Sequence, residues 1–300
     1  MILKMNNLGE IKSHISAIGQ TRQITNAMYL ISASKMRSTI KKIDYNVKYM
    51  ERLRSTMKDI LLHTDDLSGY HYIRHSKDIK NTLVIVITGD KGMCGGYNNN
   101  VISLALEKFA QCNNHGLKVG VIGVVGEEYF INHGIKPDFI WRGVIQNPIL
   151  YNARQIAARI IEEYNSGNVD DVHVVYTRYK NSVVQTAEAL RILPIEIGDY
   201  DDVSIEYQYN AAMNFEPSPG SVFSRLVPQY LIALIFNMLV QSSTSEYAAR
   251  MNSMQTSTSN ADDMLDSLRF EYNRRRQLDI TSEIAEIAAT SITVSGNADD

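Results

Sequence analysis

Residues 229–295 read QYLIALIFNMLVQSSTSEYAARMNSMQTSTSNADDMLDSLRFEYNRRRQLDITSEIAEIAATSITVS and contain neither glycine nor proline. Pro228 and Gly296 flank these 67 residues, so the sequence predicts one uninterrupted helix between them. Such a helix would run about 100 Å at roughly 1.5 Å per residue. Because no ordinary globular domain is that wide, the helix is expected to leave the body that carries it and to contact other partners.

The N-terminal end repeats this feature, since residues 20–68 also lack glycine and proline. Apolar residues follow the three-to-four spacing of one helix face at both ends of the chain. They are Leu8, Ile11, Ile15, Ile18, Ile24, Met28 and Ile31 in the first helix, and Leu265, Leu268, Tyr272, Ile280, Ile284 and Ile287 in the last. A lone amphipathic helix of this length is unstable unless its apolar stripe is covered. The sequence therefore predicts that the two stripes cover each other.

Charge supports the pairing of the two chain ends. Residues 1–63 hold 11 Lys or Arg and 4 Asp or Glu, whereas residues 217–300 hold 6 and 10. Opposite net charges on two facing helices favour their association and oppose self-pairing. Two solvated amphipathic helices on one globule remain an alternative, although the helix lengths count against it.

The middle of the chain has another pattern. The β-branched apolar run 82–88 is typical of a buried strand, and further strands are expected at 117–125, 138–141, 172–179 and 186–195. Helices are expected at 98–111, 127–132 and 149–164. Strands that alternate with helices indicate an α/β unit with a largely parallel sheet.

We therefore predict a Rossmann-like α/β domain with a largely parallel sheet, over residues 81–200, inserted between two long terminal helices. These helices, within 1–68 and 217–300, are expected to form an antiparallel coiled coil. Domain termini often lie close together, which would bring the two helices side by side.

Composition excludes several classes of function. The two cysteines, Cys94 and Cys112, lack CxxC spacing, so a reducing compartment and no zinc site are expected. Neither GxSxG nor HExxH occurs, and we predict no catalytic residue, no metal ligand and no cofactor. The most apolar stretch, 230–240, is short for a membrane span, and no signal or transit peptide is evident.

A glycine-rich turn, Gly89-Asp-Lys-Gly-Met-Cys-Gly-Gly-Tyr-Asn98, lies between a predicted strand and a predicted helix. Phosphate-binding loops occupy this position in α/β proteins. The turn contains neither GxGxxG nor a GK[ST] ending, so a tight turn that needs glycine for its backbone angles is the simpler interpretation. The functional alternative is a nucleotide-binding α/β enzyme with helical oligomerisation arms.

The segment Gln241–Asn260 contains 13 Ser, Thr, Asn or Gln among 20 residues. Such a composition fits a flexible linker, because it cannot build an apolar core. It also fits a smooth helical surface inside a cavity, where few directional contacts would form. The residues alone leave both interpretations open.

Several motifs together resemble one known family. They are Ile24-Thr-Asn-Ala-Met28, Ala33-Ser-Lys-Met-Arg37, the glycine-rich turn, Ser245-Glu-Tyr-Ala-Ala-Arg-Met251, Tyr272-Asn-Arg-Arg-Arg-Gln277, and Ile280-Thr-Ser-Glu283 with Glu286. In this order they resemble the gamma subunits of F-type ATP synthases, and they span nearly the whole chain. Each motif is weak alone, whereas the collinear set is specific.

The resemblance implies a rotor shaft. Its coiled coil would stand in the cavity of a ring of three alpha and three beta subunits, and its lower part would rest on the membrane c-ring and the epsilon subunit. Ion flow would turn the shaft, which would drive the nucleotide sites of beta through their conformations without any catalysis by the shaft itself. The implied location is the cytoplasmic face of a bacterial plasma membrane, peripheral and through partners only, with no nucleic-acid partner.

The resemblance also implies site residues. Contacts that couple the shaft to alpha and beta fall on Met28, Arg250, Arg276, Gln277, Thr281, Glu283 and Glu286, and a contact with the c-ring falls on Glu216. A solvated face is the alternative for the arginine run 274–276. The chain departs from the family pattern at His14, at Thr290-Ser291 and in the polar tail 297–300, so the fit of the shaft tip stays open.

Overall fold

The computed structural model describes residues 7–62, 71–73, 79–112, 116–200, 216 and 218–296. The chain divides into two compact units: a terminal unit, residues 1–31 and 252–300, and a central unit, residues 32–251. The elements in chain order are α1 (Leu8–Leu62), β1 (Asn81–Ile87), α2 (Tyr97–Gln111), β2 (Gly116–Ile122), α3 (Val124–Asn132), β3 (Phe139–Trp141), α4 (Leu150–Asn165), β4 (Asp171–Tyr179), β5 (Gln185–Leu193), a 3₁₀ turn (Ile197–Tyr200) and α5 (Pro219–Gly296).

The central unit contains a five-stranded sheet in the order β3-β2-β1-β4-β5. The strands β3, β2, β1 and β4 are parallel to one another, and β5 pairs antiparallel with β4. The central strand β1 is a continuous apolar run because both faces of the sheet are covered. The predicted α/β fold with a largely parallel sheet between two terminal helices is confirmed.

The end of β2 differs from the expectation. The strand stops at Ile122 instead of Val125, because Gly123 adopts a φ of 99° and turns the chain. The amide of Val125 then donates a hydrogen bond to the carbonyl of Gly89 at 3.1 Å, and α3 begins at Val124. The apolar run 119–125 therefore contains a strand and the first turn of a helix.

The start of α5 also differs. The sequence predicted that Pro228 would precede the helix, whereas the helix begins at Pro219 and passes through Pro228. Proline inside a helix costs roughly 3 kcal/mol. Phe223, Val227 and Leu231 are fully buried around it, and each buried apolar side chain contributes about 1.5–3 kcal/mol. The free energy gained by burial outweighs the lost hydrogen bond. Local sequence signals cannot show this, because they do not record which side chains are buried.

The core of the central unit lies on both faces of the sheet. One layer combines α4 with the buried faces of α1 and α5, and the opposite layer packs α2 and α3 on β1 and β2. Within the described residues one helix, α5, contains a window with mean hydropathy 1.5 that is long and apolar enough to cross a membrane. Leu231, Leu234 and Leu239 of this helix belong to the core, and core helices pass the same criterion.

The helices α1 and α5 run antiparallel in each unit. In the central unit Met36 packs against Tyr247, and ten residues further along α1 the amide of Asn46 donates a hydrogen bond to the carbonyl of Ala233 at 3.3 Å. In the terminal unit Arg22 pairs with Asp262, and the hydroxyls of Thr25 and Thr258 lie 2.8 Å apart. The ion pair joins the basic first helix to the acidic last one, as their net charges predict.

The apolar stripes are only partly covered. Ile11 and Leu265 are buried, but Ile24 is 61% exposed and Ile284 is 62% exposed. The polar Thr25 takes the buried place beside Ile24. Two helices that pack alone bury one narrow strip each, so only part of each predicted stripe is buried.

The polar segment Gln241–Asn260 is continuous helix, so the linker interpretation was wrong. Its first part is not a free surface either, since Ser242, Ser243, Thr244 and Ser245 are fully buried in the central unit. The hydroxyl of Thr244 donates back to the carbonyl of Val240 at 2.8 Å. Buried hydroxyls in a helix can bond their own backbone in this way, which lets a polar segment pack inside.

Candidate functional site

The glycine-rich turn follows β1 at the carboxyl edge of the sheet. The hydroxyl of Thr88 donates to the carbonyl of Ile122 at 2.9 Å and accepts from the amide of Gly126 at 3.0 Å. The amide of Gly89 donates to the side-chain oxygen of Asn98 at 2.8 Å, which ties the start of the turn to α2. These bonds fix the turn against two neighbouring helices.

The turn lies where the sheet order reverses direction, between β1 and β4. In open α/β sheets, ligands bind in the crevice at such a point, outside the carboxyl ends of the strands. Here α5 fills the β4 side of that crevice. The amide of Thr177 donates to the hydroxyl of Ser242 at 3.3 Å, and the amide of Tyr179 donates to the side chain of Gln241 at 2.9 Å.

Glu246 fills the side of the crevice that lies next to β1. A Cβ placed on Gly89 would lie 3.1 Å from the carboxyl carbon of Glu246, so the helix approaches the turn as closely as glycine permits. A carboxylate thus occupies the place where a phosphate would sit in a nucleotide-binding protein. Its negative charge and its bulk both oppose nucleotide binding there, which counts against the enzyme alternative.

Arg250 holds the turn from the next turn of α5. Its guanidinium donates to Glu246 at 2.6 Å and to the carbonyls of Gly92 and Lys91 at 3.1 and 3.3 Å. Both members of this ion pair are buried. Burial raises the pKa of the Glu246 carboxyl, and the nearby Arg250 charge opposes that rise.

Cys94 lies in the same turn and is buried. Burial raises the pKa of its thiol, which disfavours the reactive thiolate. The side-chain amide of Asn98 donates to its sulfur at 3.2 Å. Among the described parts of the chain, no group of three or more His, Cys, Asp or Glu is placed to hold a metal ion.

The predicted coupling residues fall into two environments. Arg250 is buried in the central unit, where it contacts the chain's own turn. Arg276, Gln277, Thr281, Glu283 and Glu286 lie exposed on α5 in the terminal unit. The hydroxyl of Thr281 donates to the carbonyl of Gln277 at 2.7 Å. Within residues 7–62 and 218–288, Arg276 forms no ion pair.

The two remaining predicted residues lie elsewhere. Met28 is half-buried on α1 in the terminal unit. Glu216 is exposed before α5 and lines a small cavity of about 170 Å³ together with Arg225 and Leu226. Thr290 and Ser291 continue the helix, whereas the tail 297–300 lies outside the described residues.

Sequence reasoning missed the crevice-filling residues Gln241, Ser242, Ser245 and Glu246. One signal was present: Glu246 and Arg250 are the only charges in a 20-residue polar segment, and they stand four residues apart. Such a pair meets on one helix face. That the pair is buried against the turn follows from the fold and was not visible in the spacing.

The fold and this site define a class of protein: an α/β body whose ligand crevice is filled by its own terminal helix, and whose long helices expose apolar and charged side chains. Surfaces of this kind are typical of subunits that work through contact with other proteins. Comparison with known proteins identifies the family.

The family model described as ATP synthase matches residues 7–292. The ATP synthase gamma chain of Caldanaerobacter subterraneus subsp. tengcongensis is 38% identical over 289 residues, which cover 93% of this chain and 97% of the relative. The gamma chain of Ruminiclostridium cellulolyticum is 38% identical over 285 residues, with 94% and 97% covered. This chain belongs to the ATP synthase gamma chain family.

Solved structures support the fold. A chain in the Euglena gracilis mitochondrial ATP synthase structure of OSCP, F1 and c-ring superposes with a TM-score of 0.67 at 15% identity, covering 98% of this chain and 96% of that chain. A chain of the Tetrahymena thermophila mitochondrial ATP synthase central stalk and c-ring structure gives 0.55 at 22% identity, covering 78% and 98%. The sequence-based recognition of the family is confirmed.

Proposed function

We propose that this chain is the central rotor shaft of an F-type ATP synthase. Its membership of the ATP synthase gamma chain family carries the proposal. The match to chains from structures of an ATP synthase rotor and central stalk supports the same fold. Because Glu246 fills the crevice at Gly89, the α/β body is suited to support the long helices and not to bind a nucleotide.

The shaft performs no bond chemistry in this proposal. Ion flow through the membrane sector turns it inside a ring of three alpha and three beta subunits. Different faces of the shaft then contact each beta subunit in turn and change the relative free energies of its conformations. This is coupling between distinct sites through differential contact.

The exposed part of α5 supplies contacts to the ring. Arg276 and Gln277 would bond a loop of beta, and Arg276 offers five donors in a rigid fork. Thr281, Glu283 and Glu286 follow on the next turns, and Met28 contributes from α1. Ile284 and Ile287 are exposed beside these polar groups, and exposed apolar side chains next to polar ones are typical of protein interfaces.

Arg250 acts differently from the other coupling residues in our proposal. Since its guanidinium bonds the turn of the same chain, it couples by holding α5 on the α/β body, so that force on the helix reaches the body.

The remaining partners are the epsilon subunit and the membrane c-ring, and Glu216 contacts the c-ring. Membership of the gamma chain family and the exposed position of Glu216 support these contacts. The chain would lie on the cytoplasmic face of a bacterial plasma membrane and associate with it only through these partners.

The proposal is tested by purifying alpha and beta subunits with and without this chain. We expect a stoichiometric complex whose ATP hydrolysis depends on the chain. Equal hydrolysis without it, together with no complex, would contradict the proposal.

Arg276→Ala tests the site at the end of α5. We expect weaker ATP-driven ion pumping in the membrane-bound complex, with nucleotide affinity of beta unchanged, because the lost contact lies on the shaft. Arg269→Ala is the matched control, since Arg269 is also exposed on α5 and pairs with Asp266 of its own helix. Unchanged pumping and complex yield in Arg276→Ala would refute the assignment.

A further inference from the structure

An open groove of about 780 Å³ lies on the central unit. Two helices form its floor and the loop before α4 forms one end. The lining residues are Lys42, Tyr45, Asn46 and Tyr49 of α1, Gln229, Ile232, Ala233 and Phe236 of α5, and Pro148, Ile149, Leu150 and Arg154 around the start of α4. The glycine-rich turn and the coupling residues lie outside this lining.

The floor of the groove has the geometry of a binding site for a helix. The four residues from α1 are spaced 3, 1 and 3 positions apart, and the four from α5 have the same spacing. Each set is therefore a stripe along two turns of one helix face. Asn46 bonds Ala233, so the two stripes run side by side and antiparallel. A seam between two such stripes has the shape of a groove that binds an amphipathic helix through its apolar side chains.

The groove is apolar and exposed. Phe236, Ile232 and Pro148 line it, while the lining residues Tyr45 and Tyr49 are 82% and 49% exposed. Exposed aromatic residues beside a preformed apolar groove are typical of residues that dominate binding energy in protein interfaces. A free protein would leave this surface in water at a cost in free energy.

The groove is lined by basic residues. Of the described residues that line it, Lys42 and Arg154 are charged and none is a carboxylate. Lys42 bonds two neutral oxygens, those of Asn147 and Pro148, both at 3.0 Å. Burial lowers the pKa of the Lys42 ammonium, and Lys35 adds to this. Among the residues that the structure describes in this unit, Arg154 forms no ion pair. Within the described part of the chain, neither cation therefore pairs with a carboxylate.

We propose that this groove receives an acidic amphipathic α-helix from another subunit of the complex. Apolar side chains of that helix enter the seam between α1 and α5, and its Asp or Glu side chains pair with Lys42 and Arg154. The proposal rests on the proposed function, because it needs an assembled complex.

A photo-crosslinking amino acid at Tyr49 in the purified, assembled complex tests the occupant. We expect crosslinked peptides from a single partner subunit, with apolar residues at three-to-four spacing and acidic residues between them. The same probe at Val183, an exposed residue outside the groove, is the control and should not give that peptide. A crosslink to a basic peptide, to lipid, or to another segment of this chain would overturn the proposal.

Charge reversal tests the ion pairs. Arg154→Glu should increase the rate at which the partner subunit dissociates from the complex by on the order of tenfold. Gln155→Glu is the control, because it adds a negative charge at the next position of α4 outside the groove lining. Since Arg154 is exposed and forms no ion pair with the described residues of its unit, its replacement should leave folding intact. Lys42→Glu compared with Lys41→Glu provides a second matched pair.

The outcomes separate this proposal from the proposed function. If no complex forms with the unaltered chain, both fail. If the complex forms and turns over ATP while the Tyr49 probe captures no partner, or if Arg154→Glu and Gln155→Glu dissociate alike, only the groove assignment is wrong.

Discussion

Glu246 and Arg250 show how two side chains can decide whether a crevice is a ligand site. Glu246 packs on Gly89, and Arg250 caps the carbonyls of Lys91 and Gly92. Together they fill the crevice in which open α/β sheets commonly bind a ligand. Because both charges are buried, each depends on the other for compensation.

Arg250→Ala should lower the free energy of unfolding by about 3 kcal/mol, because it leaves the buried carboxylate of Glu246 unpaired. Adding Glu246→Gln should recover part of this loss, with a coupling energy of about 1–3 kcal/mol. Urea unfolding of both single variants and of the double variant measures the coupling. Strictly additive effects would show that the pair does not act as a unit.

Glu163 has the opposite electrostatic behaviour to Glu246. A hydrogen bond from Lys118 at 2.7 Å lowers the pKa of its carboxyl below the ordinary value of 4.5, and the nearby charge of Arg159 adds to this. The folded state therefore favours the charged form. The stabilisation is present above pH 4.5 and is lost as the pH falls through the folded-state pKa.

Glu163→Gln should therefore cost about 1–2 kcal/mol at neutral pH, and this difference should shrink in acid. Urea unfolding across a pH series checks this. Glu162→Gln is the control, since Glu162 is exposed and its pair with Arg159 is expected to contribute little. A difference that is constant with pH would contradict the assignment to the ion pair.

At the scale of elements, the turns at the carboxyl edge of the sheet depend on close backbone approach. Gly123 has a φ of 99°, and a Cβ there would lie 2.3 Å from the carbonyl oxygen of Thr88. Gly92, in the neighbouring turn, has nothing within 4 Å of the corresponding position. Of these two glycines, only Gly123 therefore lies against other backbone atoms.

Gly123→Ala should thus destabilise the protein by about 3 kcal/mol or more, because it combines backbone strain with a backbone clash. Gly92→Ala should change stability by less than about 1 kcal/mol. Thermal unfolding of the two variants distinguishes them. Equal effects would mean that the close approach at Gly123 does not constrain the turn.

The bounds of most elements followed from local patterns, because apolar periodicity and glycine act over a few residues. The strand β1, the helix α2 and the helix α4 lie within a residue of their predictions. The failures lie where distant packing dominates. Pro228 stays in a helix because the side chains around it are buried, and the polar segment after Val240 is helical because it packs against β4.

At the scale of the whole molecule, residues far apart in sequence meet in the terminal unit. Thr25 and Thr258 are separated by more than two hundred residues, yet their hydroxyls lie 2.8 Å apart in the terminal unit. This contact tests the antiparallel arrangement directly. Both native cysteines are buried, so they should interfere little with engineered ones.

Thr25→Cys combined with Thr258→Cys should form an intrachain disulfide on mild oxidation and stabilise the protein by roughly 2–5 kcal/mol, since it closes a long loop. A mobility shift on non-reducing gels detects the bond, and denaturant unfolding measures its effect. Gln23→Cys with Thr258→Cys is the control, because Gln23 is exposed at a different angle of α1. Equal yields in the two pairs would contradict the observed register.

The amino-acid sequence by itself determined the element types, the α/β body between two long helices and the family. These properties rest on local periodicity, on glycine and proline, and on collinear motifs, all of which act or can be compared along the chain. Only the tertiary structure decided which faces are covered. It buried Thr25 and exposed Ile24, placed Glu246 in the crevice at Gly89, and aligned two helix stripes into a groove. Burial depends on which distant element packs against a residue, and spacing along the chain does not record that partner.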